Sequence, residues 1–311
     1  MRKILVTGGA GFIGSHFVRG LVGTGSPSVT VLDKLTYAGR RDNLDGVPHA
    51  FVHGDVCDAG LLAEVVPGHD LVVHFAAESH VDRSIAGAAE FVRTNVLGTQ
   101  TLLQACLEAG VRKVVHVSTD EVYGSIDAGS WDEDAPLRPR SPYAASKAGA
   151  DLVARSYAIT HGLDVSITRC GNNYGPRQYP EKVVPLFVTN LLRGRKVPLY
   201  GDGGNVRDWI HVADHCAGIR LVAQKGLPGE VYHVAGTAEL TNRELTGLLL
   251  KACGRGWELV EHVEDRKGHD RRYSLDDSRL RALGYRPSVP FEQGLEETVR
   301  WYAEHPHWWA G

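Results

Sequence analysis

Ser118-Thr119-Asp120-Glu121-Val122-Tyr123-Gly124 closes an apolar run, Val114 to Val117, that reads as a buried strand. Further on, Tyr143-Ala144-Ala145-Ser146-Lys147 lies in a helix-permissive stretch. One helical turn sets the Tyr143 and Lys147 side chains on one face, about 6 Å apart along the axis. Together these residues offer a phenol that can be acidified, a hydroxyl, and two adjacent carboxylates whose repulsion can split their pKa values. A tyrosine backed by a lysine suits hydride movement at a carbinol. Paired acids suit giving a proton at one atom while taking one from another.

The elements before the cluster must deliver it to a ligand. Residues 3–7 form an apolar, β-branched strand, followed by Gly8-Gly9-Ala10-Gly11-Phe12-Ile13-Gly14 and a helical period through Phe17, Val18, Leu21 and Val22. Gly8, Gly11 and Gly14 fit a dinucleotide-binding turn, in which a pyrophosphate meets free N–H groups at a helix N-terminus. Glycines alone would also fit a plain strand-to-helix loop. A second strand, Val29 to Leu32, ends at Asp33, where an acid can accept from both ribose hydroxyls and repel a 2′-phosphate. That favours NAD over NADP, although Arg40 and Arg41 stand nearby.

A third strand, 50–53, ends in Gly54-Asp55-Val56; Asp55 could face an adenine or cap a turn, and Asp58 reads as the next helix's N-cap. A fourth, 70–75, ends in Ala76-Ala77-Glu78-Ser79-His80, small residues that leave room at a sheet's rim. One long helix is expected over 88–109, carrying Thr94 and Asn95, then the strand that ends at Ser118. Such alternation implies a doubly wound parallel (Rossmann) α/β sheet. We expect an NAD-binding region over 1–170, with 205–235 returning to it. A smaller mixed α/β substrate region covers mainly 171–311, with helices near 181–192, 241–253, 276–283 and 291–304 and a β-like stretch at 257–263.

With 311 residues and a net charge of −3, the chain offers no global attraction to nucleic acid or an anionic membrane. No apolar run approaches the ~20 residues of a spanning helix, and the N-terminus does not read as a signal peptide. The cytoplasm is the expected compartment. The five cysteines have no C-x-x-C and read as buried thiols. His211 and His215 stand four apart but lack the neighbours of a metal site, so no metal is expected. The run Asp265-Arg266-Lys267-Gly268-His269-Asp270-Arg271-Arg272-Tyr273 is either a solvated loop or a clamp for a diphosphate or ribose. His305-Pro306-His307-Trp308-Trp309 is expected to pack on the surface or fray.

Gly8 to Gly14 with Tyr143-x-x-x-Lys147 resembles the extended short-chain dehydrogenase/reductases that act on nucleotide-sugars. Within that group, Thr119-Asp120-Glu121 is similar to the dTDP-glucose 4,6-dehydratase family. So are Asp33-Lys34-Leu35-Thr36-Tyr37-Ala38-Gly39, Asn172-Asn173-Tyr174-Gly175-Pro176 and Arg207-Asp208-Trp209. Epimerases of the group lack the acid pair, and UDP-glucuronate decarboxylases carry Ser-Glu there. A cofactor-sensing protein without catalysis need not keep Tyr143 and Lys147. The candidate cofactor residues are Gly8, Gly11, Phe12, Ile13, Gly14, Asp33, Lys34, Thr36, Asp55, Val56, Ala76, Ala77, Thr94, Ser118, Tyr143, Lys147 and Asn173. The candidate substrate residues are Ser79, His80, Thr119, Asn172, Glu181, Lys182, Val183, Pro198, Tyr200, Arg207, Asn242, Arg266, His269 and Tyr273.

The resemblance implies dTDP-glucose as substrate, and a homodimer packed through the 88–109 and 143–161 helices. Gly171 departs from it, standing where Ser is expected. The expected chemistry gives each residue a step. Tyr143, favoured as phenolate by Lys147 and by a cationic nicotinamide, takes the sugar 4-OH proton, with Thr119 positioning that oxygen. Glu121 takes the C5 proton and Asp120 protonates the departing 6-OH.

Overall fold

The computed structural model describes residues 1–22 and 27–310; Gly311, the end of the expected second region, lies outside them. In chain order the strands are β1 (Lys3–Thr7), β2 (Ser28–Asp33), β3 (Ala50–His53), β4 (Leu71–His74), β5 (Lys113–Thr119) and β6 (Val165–Cys170), followed by β7 (Asn172–Tyr174), β8 (Val197–Tyr200), β9 (Val206–His211), β10 (Val231–Val234), β11 (Ala238–Thr241) and β12 (Val260–Val263). Seven of them make a parallel sheet in the order β10-β6-β5-β4-β1-β2-β3. These strands are apolar because helices cover both faces. One face packs Ile4, Val6 and Val31 against Phe17 and Ile219; the other packs Leu5, Val72 and Val114 against Leu102 and Ala154.

Strand order reverses beside β1, which lies between β2 and β4, and that reversal opens a crevice at the strands' C-terminal ends. Gly8 crosses there with φ +69°, and a Cβ on it would stand 2.5 Å from the Ala76 nitrogen. The helix Phe12–Arg19 follows, stopping at Gly20 short of the expected Leu21 and Val22. At Gly14 a Cβ would meet the Gly8 carbonyl oxygen at 2.3 Å and Gly9 Cα at 2.9 Å. Gly14→Ala therefore forces the turn and helix apart. We expect it to cost about 2 kcal/mol, in the range of an overpacked core, and to lower both the melting temperature and the NAD that co-purifies.

The stretch 205–235 divides. Val206–His211 belongs to a second, three-stranded sheet, β11-β9-β7, while the helix Val212–Lys225 and β10 rejoin the main sheet. A pair of parallel strands, β8 and β12, completes the smaller half. Its own core gathers Tyr174, Phe187, Trp209, Leu249 and Leu295.

Four expectations change. The helix over 88–109 is interrupted: Ala89–Phe91 and Gly98–Glu108 are α, but Val92–Leu97 winds as a π-helix. The β-like stretch 257–263 begins as a 3₁₀ turn, Trp257–Leu259. The helix expected over 276–283 is shorter, Ser278–Ala282. The expectation for the aromatic tail, to pack or fray, narrows to packing: Pro306–Trp309 is helical, Trp308 is buried, and the Arg40 guanidinium stacks on its ring at 4.7 Å. That contact joins the tail to the segment after β2.

Candidate active site

A cleft of about 450 Å³ runs along the C-terminal ends of the main-sheet strands and under the smaller half. Every candidate residue named from the sequence lies on its wall. The sequence reading missed others that also line it, notably Glu78, Gln178 and Tyr179. Glu78 stands inside the quoted strand-end motif, so its position was the available signal.

The cofactor end is built from backbone. The helix Phe12–Arg19 has Gly11 as N-cap with no side chain capping it, which leaves N–H groups free for a pyrophosphate. Side chains at Gly8 or Gly14 would fill that cradle. Asp33 is buried at the end of β2; its Oδ2 accepts from Ala10 N (2.9 Å) and its Oδ1 from Leu35 N (2.8 Å). A carboxylate has about four lone-pair sites, so this fixed group keeps capacity for two ribose hydroxyls. These features fit a dinucleotide. Asp55 accepts from Cys57 N (2.9 Å) and pairs with Lys34 (3.4 Å), while Asp58 caps the next helix through Leu61 N.

The π-turn explains how distant pieces meet. Asn95 donates to Glu78 O (3.0 Å) and Ser146 Oγ (2.8 Å) and accepts from Glu78 N (2.8 Å). Ser146 Oγ in turn donates to Tyr143 O (2.7 Å). The loop after β4 is thereby tied to the helix Pro142–His161. That helix starts cleanly: Ser141 accepts from Ala144 N, Pro142 takes the first turn, and Gly162 stops it with φ +68°. Tyr143 and Lys147 thus share one buried face at the end of β5, beside Ser118 and Thr119.

Electrostatics separate the two acids. Asp120 is 2% exposed, and its Oδ2 has no hydrogen-bond partner among the described residues. Burial, then Glu121 and Asp208, push its carboxyl well above the usual range, which favours the protonated acid. Burial also raises Glu121, but Lys182, Arg207 and Arg266 oppose the shift and favour its ionised form.

Tyr143 departs from expectation. Burial and the nearby Glu121 push its phenol well above 10, with Thr119 opposing. Lys147 donates to Val117 O at 2.8 Å, and burial lowers it to about 8. Within the chain's own charges, desolvation outweighs the lysine.

The smaller half lines the opposite wall. Lys182 donates to Ser79 O (2.7 Å), and Arg83 pairs with Glu181 (3.2 Å), so the segment before the helix Val183–Leu192 is pinned to the loop after β4. His80 caps the helix Val81–Ala86. The 265–273 run divides between the cleft and the solvent. Arg266, which stacks on Tyr200 at 5.2 Å, faces the cleft with His269 and Tyr273, whereas Arg271 pairs with exposed Asp202. Arg207 stacks on Tyr273 at 4.3 Å and donates to Asp270 O. Gly171 has a local reason: a Cβ there would meet Asp208 O at 2.5 Å. His215 turns from any metal geometry to meet Asn173 Oδ1 through its Nδ1 (2.9 Å).

Residues 5–298 match the family model of GDP-mannose 4,6 dehydratase. A dTDP-glucose 4,6-dehydratase from Streptomyces antibioticus is 60% identical, over 99% of this chain and 94% of its own length. The crystal structure of a dTDP-glucose 4,6-dehydratase from Streptomyces venezuelae, with NAD bound, is 64% identical, superposes with a TM-score of 0.96, and covers 99% of this chain and 98% of the other. A Bacillus anthracis dTDP-glucose 4,6-dehydratase in complex with NAD is 45% identical, with a TM-score of 0.92 over 100% and 99% of the two chains. Similarity at this level along the whole chain, joined to the Asp120-Glu121 pair beside Tyr143 and Lys147, places the chain in the dTDP-glucose 4,6-dehydratase family.

Proposed function

We propose that the chain is a hydro-lyase that converts dTDP-glucose to dTDP-4-keto-6-deoxyglucose with tightly held NAD, a step of deoxysugar biosynthesis. The observation that carries this is the acid pair in unequal surroundings: Asp120 is 2% exposed and favoured as the neutral acid, whereas Glu121 faces Lys182, Arg207 and Arg266, which favour its charge against burial. Bound NAD supplies a cationic ring that favours the Tyr143 phenolate and a place where a hydride is held and then returned. The residues at the ends of β1, β2 and β3 hold it.

The rest is work for this chain's side chains. Tyr143 takes the proton from the sugar 4-OH, with Thr119 beside it to position that oxygen. The resulting 4-ketone acidifies the C5 hydrogen, and Glu121 removes that proton. Asp120 protonates the departing 6-OH, so water leaves rather than hydroxide. Lys182, Arg207 and Arg266 bring positive charge to the wall that would meet a diphosphate, and Pro198 to Tyr200 form an edge for the base. On this reading residues 1–170, with the helix 212–225 and β10, serve the cofactor, and the remainder mainly serves the nucleotide-sugar.

A second copy of the chain is the proposed partner. Val92, Leu97, Leu152 and Ile159 are exposed apolar residues, Ile159 to 72%, on the two helices expected to form the dimer. Among the described residues no helix is long and apolar enough to cross a membrane. All five cysteines are free, which fits the reducing cytoplasm.

The direct test uses purified protein and dTDP-glucose with no added NAD. We expect the alkali-absorbing 4-ketosugar to form. Its absence, even after NAD is added, overturns the assignment, and a matching UDP-glucose assay tests the preference for the thymidine nucleotide.

A further inference from the structure

The helix that carries Tyr143 and Lys147 bears a third polar residue in the same stripe. Asp151 follows Lys147 by four positions, as Lys147 follows Tyr143, so the three stand about one turn apart on one face. Asp151 is 1% exposed and takes no part in the steps above. Its carboxylate is nonetheless firmly held. Oδ2 accepts from Arg169 Nε at 2.8 Å, and Oδ1 lies 3.2 Å from His116 Nε2 without a hydrogen bond among the described residues. Arg169, on β6, is fixed in turn against the Tyr123 ring and hydroxyl, and Tyr123 Oη meets His233 Nε2 at 2.7 Å.

Lys147 needs such a neighbour. Its one hydrogen bond, to Val117 O, uses one of three ammonium protons in a site away from water. The titratable groups that bear on it are Asp151 on its own helix, His74 on β4, His116 on β5 and Cys170 on β6. Burial keeps both imidazoles neutral and the Cys170 thiol protonated. Burial also opposes ionisation of Asp151, but the Arg169 guanidinium beside it holds its carboxyl down at about 2. Asp151 is therefore the standing negative charge that faces the lysine.

We propose that Asp151, clamped by Arg169, is a positioning residue of the dehydration: it keeps Lys147 an ammonium beneath Tyr143. This rests on the reading of Tyr143 as the base at the sugar 4-oxygen. The sign follows directly. Asp151 favours the charged lysine, so Asp151→Asn lets Lys147 lose its proton at lower pH. The alkaline limb of kcat that Lys147 sets on this proposal moves down by on the order of one unit.

The experiment compares kcat and KM against pH for wild type, D151N and D151E, each carrying its co-purified NAD. Turnover of D151N should match wild type at the acid end and fall to about a tenth of it on the alkaline side. KM for dTDP-glucose should not change, and D151E should restore the limb. A readout free of catalysis follows the Lys147 side-chain ¹⁵N resonance, assigned by its loss in Lys147→Met; it should titrate lower in D151N by the same amount. If D151N leaves Arg169 too poorly compensated to fold, the double variant D151N/R169M removes both buried charges. R169M alone is its reference, so that the comparison isolates the Asp151 charge, and the same direction of shift is expected. A wild-type alkaline limb with an unmoved Lys147 titration overturns the proposal, whatever happens to thermal stability. Failure of the parent reading shows separately, as full turnover in Tyr143→Phe.

Discussion

Glu121→Gln is expected to slow formation of the 4-ketosugar by about three orders of magnitude, within the range for removing a general base. The substitution keeps the side chain's shape and removes only its charge. In the wild-type site Lys182, Arg207 and Arg266 act on that charge against burial, so a neutral amide loses the base without opening a cavity. The earlier proton transfer at Tyr143 does not need Glu121. Mixing E121Q with dTDP-glucose should therefore build up the absorbance of reduced nicotinamide and leave it standing. In deuterated water the recovered sugar should carry no deuterium at C5. Deuterium entering C5 at the wild-type rate would remove Glu121 from the base's role. Loss of binding alone would instead raise KM and leave kcat near its starting value.

Much of this site could be read from residue order because its parts are local. Gly8, Gly11 and Gly14 are needed where a backbone crosses another within contact distance, and Asp33 closes the strand that follows. Asp120 and Glu121 are adjacent in the chain, so their mutual repulsion needs no fold to reveal it. What escaped notice depends on distant partners. The π-turn at Val92–Leu97 accompanies Asn95 bonding to Glu78 and Ser146, contacts across 17 and 51 residues. An amphipathic period alone predicts an unbroken helix there. Residue order left the aromatic tail free to pack or fray, and Arg40 meeting Trp308 across 268 residues decides between them. The Tyr143 phenol is the instructive case. Spacing alone suggests that Lys147 governs it, whereas full burial and Glu121 set its direction.

That last point shapes the expectation for Tyr143→Phe, the second large effect. Burial makes this phenol reluctant to ionise, so its phenolate, once formed, is a strong base held close to the sugar 4-oxygen. Removing the hydroxyl removes the acceptor for the first proton, and C4 cannot give up its hydride to leave a ketone while the 4-oxygen keeps that proton. Turnover should fall by about 10³-fold. The signature differs from that of E121Q in a way that separates the two roles. In Y143F no reduced-nicotinamide absorbance should appear on mixing with dTDP-glucose, because the block precedes the ketone. Thermal stability should change little: the Tyr143 ring contact with Phe91, at 6.3 Å and edge-on, survives the substitution. If Y143F reduced its cofactor as fast as wild type, proton removal would belong to another group, and Thr119, at the same strand end, would be the residue to change next.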